Sequence, residues 1–112
     1  MIKLLTPDEF GREDLVPHAI IQRSVSAFSK SYELEFIRDA DDLDGFSVLY
    51  LDLGGKKAAL IHYDGEPEDT ITIYLPRRLT QQGADRAVNK ILKEYRLHDD
   101  AISWRETLHE RG

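Results

Sequence analysis

The chain has no cysteine, which excludes a disulfide framework and a thiolate metal site. It has no run of about eighteen apolar residues, so no transmembrane helix is expected. Its start, Met1-Ile2-Lys3-Leu4-Leu5-Thr6-Pro7-Asp8-Glu9, meets acidic residues directly after a short apolar patch and offers no small-residue cleavage site, unlike a signal peptide. The cytoplasm is the expected location. Basic residues are the minority, 15 against 21 acidic, for a net charge of −6. Such a chain repels phosphate backbones at long range and is steered toward basic partners, so nucleic acid is disfavoured. Repeats, low-complexity stretches and linkers are absent as well. What remains is 112 residues, 41% hydrophobic, enough for one core and one domain over residues 1–112.

Thr6-Pro7-Asp8-Glu9 has the capping-box pattern with proline at the first helical position, and Gly11 limits the helix to a short turn. Ile21, Val25 and Phe28 recur at i, i+4 and i+7, which predicts a helix over 17–30 with Pro17 in its first turn. From Tyr32 the period changes to two: Tyr32, Leu34 and Phe36 alternate with glutamates. The stretches 46–53, 58–63 and 70–75 then read as strands. Gly54-Gly55 accepts positive φ at both central positions of a tight hairpin. Residues 64–69 are turn chemistry. Thr80 caps the clearest helix, 81–95, whose stripe is Ala84, Ala87, Val88, Ile91, Leu92 and Tyr95. Ile102 and Trp104 alternate like a short fifth strand.

The hairpin fixes a register. If Leu53 pairs with Lys56, Leu49 faces Leu60; if Tyr63 pairs with Thr70, Leu60 faces Ile73. One sheet face then carries Leu49, Leu51, Leu53, Leu60, Ile71, Ile73 and Leu75, and helix 81–95 is its natural cover. The other carries Phe46, Val48, Tyr50, Ala59, Ile61, Tyr63, Thr70, Thr72 and Tyr74. Two readings of this face compete: cover by the 17–30 helix, or a partner surface rich in tyrosine.

The same register collects Asp39, Asp41, Asp42, Asp44, Asp64, Glu66, Glu68 and Asp69 at one end of the meander, with Lys56, Lys57, Arg77 and Arg78 at the other. The carboxylates are either a solvated rim or an electrostatic docking rim for a basic protein.

Chemistry of other kinds is thin. Placing Gly45 at the sixth position of a calcium loop puts Ala40 first and Leu51 twelfth, where a bidentate carboxylate is required. No P-loop or dinucleotide glycine pattern occurs. His18, His62, His98 and His109 include no pair at the helical spacing of a zinc site. His62 is the one candidate general base, without an obvious nucleophile. Trp104 reads as a core plug. No metal or cofactor is expected.

The second half resembles a known family. Leu53-Gly54-Gly55-Lys56-Lys57-Ala58-Ala59-Leu60-Ile61-His62-Tyr63-Asp64 is similar to a strand–turn–strand of small bacterial immunity proteins paired with deaminase-type polymorphic toxins. In that family a further strand leads into an amphipathic helix and a short segment ending in tryptophan and an acidic residue. Here Leu75-Pro76, the helix from Ala84 to Tyr95, and Ala101-Ile102-Ser103-Trp104-Arg105-Glu106 follow in that order. The likeness spans residues 50–106 and departs from the family at 96–100, where a glycine and a proline are expected. It implies an inhibitor that binds and blocks a toxin without catalysis of its own.

The expected fold is α+β: a four- to five-stranded antiparallel meander packed with helix 81–95 and an N-terminal helix. The expected function is a protein-binding module, a toxin-neutralising immunity protein with a basic partner, binding through the eight carboxylates and Tyr50, Tyr63 and Tyr74. The alternative is a small-ligand or enzyme domain using the tyrosine face and His62. A third is a subunit that dimerises through that face.

Overall fold

The computed structural model describes residues 2–41 and 44–105. In chain order the elements are β1 (Lys3–Leu5), α1 (Pro7–Phe10), β2 (Leu15–Ile21), α2 (Val25–Tyr32), β3 (Ile37–Ala40), β4 (Gly45–Asp52), β5 (Lys57–Tyr63), β6 (Ile71–Pro76), α3 (Gln81–Glu94), a 3-10 turn (Asp99–Ala101) and β7 (Ile102–Arg105). Among the described residues the strands form one antiparallel sheet in the order β1-β4-β5-β6-β2-β7, with β3 beside β1 on the edge of β4. The fold is α+β, and no helix among the described residues is long and apolar enough to cross a membrane.

The strands β4, β5 and β6 of the meander are the ones the turn signals anticipate, and their register agrees at every checked pair: Leu49 with Leu60, Leu51 with Ala58, Leu60 with Ile73. Gly54 and Gly55 take φ of 85° and 103°, and the Asp52 carboxylate accepts both of their N–H groups at 3.0 and 2.8 Å. Those two bonds, Gly55's foremost, hold the Asp52 carboxyl below its ordinary range. Thr6 and Glu9 close the expected capping box, and Thr80 caps α3 through the Gly83 N–H.

The sheet has seven strands where four or five were expected, and two of the expected elements change. Residues 15–21 form a strand, where the spacing predicts the first turns of a helix over 17–30. Val16, Ile20 and Ile21 are β-branched, and Pro17 lies where a sheet tolerates it. There β2 pairs with β6 at Tyr74, and the ladder is broken by a bulge between Pro17 and Ala19, a position where a strand accepts proline. The helix starts at Val25, after Ser24 caps it through the Ala27 N–H at 3.0 Å. Residues 32–36, expected as a strand, instead close α2 and lead to β3. Their alternation still points inward: Tyr32, Leu34 and Phe36 all pack against the main core.

That core lies on the aliphatic face. Leu51, Leu60, Ile71, Ile73, Leu75 and Ile91 are fully buried between sheet and α3. Helix α2 covers the same face and does not reach the tyrosine face that the 17–30 reading gave it. Phe28 sits 5.0 Å from the Tyr95 ring and 4.8 Å from that of Tyr32, extending one core under both helices. Both long helices on one side leave the opposite face of the sheet to α1 and residues 11–14.

Candidate functional site

Antiparallel pairing puts directly opposed residues on one face. Following the pairs from edge to edge, Ile37, Val48, Ile61, Thr72, Ile20 and Trp104 form a row across the sheet. Beside it runs Leu5, Tyr50, Ala59, Tyr74 and Pro17. Phe46 and Tyr63 make a third pair, with rings 5.2 Å apart. Ala59 separates Tyr50 from Tyr74, as the register requires. Val48, Ala59 and Ile61 are buried at the centre, while Phe46, Tyr50, Tyr63 and Tyr74 around them are half-buried.

Trp104 is 42% exposed at the edge of this face, which corrects its reading as a core plug. It belongs to the tyrosine face because β7 pairs with β2, a strand the helical reading concealed. Pro17, Leu15 and Ile20 join the face for the same reason. Phe10 joins it through α1: its ring lies 4.5 Å from that of Tyr50, and Lys57 Nζ donates to its carbonyl at 2.6 Å. Only the strand assignment of 15–21 could have exposed Leu15, Pro17, Ile20 and Trp104 from sequence.

The carboxylates gather at one end of the sheet, and most of them hold turns. Asp44 accepts the Gly45 N–H at 2.9 Å and the Gly65 N–H at 3.2 Å, joining the β3–β4 and β5–β6 connections. Asp41 accepts the Asp44 N–H, Asp39 the Ala40 N–H, and Glu66 the Tyr63 N–H, each within 2.9 Å. Asp64 takes both terminal nitrogens of Arg38 at 2.9 and 2.8 Å, and this hydrogen-bonded pairing holds its carboxyl below the ordinary range. Glu68 and Asp69 are exposed on the β5–β6 loop. Asp42 lies outside the described residues.

The rim and the tyrosine face are electrostatically continuous. Burial first, and the charge of Asp39 second, push the Tyr50 hydroxyl above its ordinary pKa. Burial again leads for Tyr63, followed by Tyr74 and by Asp41, to whose carboxylate the Tyr63 hydroxyl is hydrogen-bonded. Tyr74 is raised by burial and then by Glu66. The opposite end is less basic than the sequence register suggests. Arg77 pairs with Asp14 at 2.8 Å and Arg78 with Glu13 at 3.3 Å, so residues 13–14 neutralise that pair of arginines.

His62 does not join this site. It alternates with Ile61 and Tyr63 and shares the side of Leu60, across β4 from Ser47. Its Nδ1 lies 2.8 Å from the Thr70 carbonyl oxygen, which can only accept, so Nδ1 carries a proton. This corrects the alternative that combined His62 with the tyrosines. An open groove of about 610 Å³ lies between residues 10–15 and the sheet, floored by Ile61 and walled by Phe46, Tyr50 and Tyr63. Comparison with family models, curated proteins and solved structures gives no match.

Proposed function

We propose that this chain is a protein-binding module that inhibits a basic partner by covering it, a toxin-neutralising immunity protein of the kind residues 50–106 resemble. The observation that carries the reading is the tyrosine face. Both long helices pack on the other side of the sheet, leaving Tyr50, Tyr63, Tyr74 and Trp104 partly open beside a rim of carboxylates. Tyrosine and tryptophan supply large, rigid contact area with polar tips, the make-up of interaction hot spots. The neighbouring carboxylates supply long-range attraction for a basic surface. The cytoplasm fits this reading, since an inhibitor must share a compartment with what it restrains.

The test uses the protein encoded by the neighbouring reading frame, co-expressed and then measured by surface-plasmon kinetics at two salt concentrations. Growth arrest by that protein should be relieved by this chain. Tyr50→Ala with Tyr74→Ala should raise the dissociation rate by about tenfold or more, the scale of losing a hot spot. Glu68→Gln with Asp69→Asn should slow association and flatten its salt dependence, because exposed charges act mainly on encounter. Asp44 and Glu66 are unsuitable for that arm, because their carboxylates hold backbone N–H groups, and Asp41 is kept out of it because it also lines the groove beside Tyr63. Full protection and unchanged dissociation in the double tyrosine variant would sink the reading.

A further inference from the structure

The groove beside α1 has a chemistry of its own. Phe46 and Tyr63 stand directly opposite on β4 and β5, their rings inclined at 47°. Tyr50 lies four residues further along β4 on the same face, and Ile61 lies on the neighbouring strand. Aromatic faces carry negative charge density and attract cations, most strongly where water is partly excluded. Asp41 lines the end near Tyr63, and Asp39 and Glu66 act on the same tyrosines. The opposing charge in the described lining is Arg12, exposed on the loop side; Glu13 and Asp14 there are engaged by Arg78 and Arg77. The protein already uses this pairing within its own fold, since the Lys57 ammonium stands 5.6 Å over the Phe10 ring.

We propose that this groove receives an arginine side chain of the partner, its guanidinium stacked on the rings of Phe46, Tyr50 and Tyr63 and its charge met by Asp41. The proposal rests on the reading of the tyrosine face as a docking surface and names the group that anchors there. Arginine suits the geometry better than lysine. Its planar cation stacks on a ring and offers a fork of donors to a carboxylate, whereas an ammonium is a compact, strongly hydrated charge. The volume of about 610 Å³ leaves room for the side chain and its flanking backbone.

The experiment titrates the full ¹⁵N-labelled chain with N-acetyl-arginine methylamide, alongside the citrulline and lysine analogues. Citrulline keeps the shape and removes the charge. Saturable amide shifts are expected at Gly11, Arg12, Phe46, Tyr50, Ile61 and Tyr63. Citrulline should bind about tenfold more weakly or worse, as loss of a cation–π contact and an ion pair requires. Lysine should fall between the two. Asp41→Asn keeps an oxygen to accept the Asp44 N–H, and Tyr50→Leu keeps an apolar wall, so both should fold and both should weaken the arginine probe. Equal affinity for citrulline overturns the proposal. So do unsaturable shifts, or shifts confined to Asp64, Glu68 and Asp69, which would report loose attraction to surface carboxylates. The two proposals separate cleanly. If Tyr74→Ala, outside the groove, weakens the partner while the arginine probe fails to bind, the groove proposal falls and the docking face stands. Probe binding without any effect of Tyr74→Ala or Trp104→Ala on the partner removes the docking face instead.

Discussion

Tyr95 ends α3 with its ring 5.0 Å from those of Phe28 and Tyr32, and the Tyr32 hydroxyl donates to its main-chain carbonyl. Burial, with lesser help from Glu94 and Tyr32, pushes its hydroxyl up to about 12. An unfolded chain would release that proton near pH 10. Between about pH 10 and about 12 the unfolded state therefore binds fewer protons than the folded one, and stability falls as pH rises. The contribution is whole below that window. Denaturant unfolding across the alkaline range should show the loss in the wild type and a shallower one in Tyr95→Phe; identical slopes would remove Tyr95 from the account. The rim shows how far single residues are legible. A cluster of aspartates is visible in the chain, but that Asp44 would tie two connections together depends on where Gly65 arrives in space.

Hairpins and caps are the elements that local sequence specifies best. At Gly55 an added Cβ meets nothing within 4 Å, so Gly55→Ala isolates the backbone cost of a positive φ. It should destabilise by roughly 1–2 kcal/mol, read from the shift in denaturation midpoint. No change would mean that the loop relaxes to another turn. The β2 segment was harder to read. Ile21, Val25 and Phe28 do fall on helical spacing, yet Ile21 ends a strand and Phe28 belongs to α2. The two elements present their apolar residues to the same core, so a pattern running across their junction imitates one helix. Pro17 suits a helix start as well as it suits a bulge in a strand, and only the pairing of residues 15–21 with β6 decides between them.

Across the whole molecule the two faces of the sheet should respond differently to truncation. Leu60 and Ile91 are fully buried between sheet and α3, so Leu60→Ala and Ile91→Ala should each cost on the order of 2–4 kcal/mol. Tyr74→Ala, on the half-open face, should cost less, because Tyr74 is only partly buried and its loss leaves no closed cavity. Thermal or urea unfolding of the three variants checks the order. A Tyr74 variant as damaged as the other two would mean that the tyrosine face is a second core and not a docking surface. Charge is arranged at the same scale. The acidic end keeps exposed Glu68 and Asp69, while the Arg77 and Arg78 end is offset by Glu13 and Asp14. The electrostatic asymmetry therefore comes mainly from one end of the sheet.

The period-two alternation of β4, β5 and β6, the diglycine turn and the stripe of α3 were sufficient to determine the register, the two faces and the helix that covers one of them. These are local features, and a strand's alternation carries face information without reference to distant residues. Tertiary structure alone decided that residues 15–21 would join the sheet beside β6 and that both long helices would share one side. It also brought Trp104 to the tyrosine face. Each of those outcomes depends on pairing between segments far apart in the chain, where the partner strand, and not the segment's own pattern, selects the conformation that buries the most apolar surface.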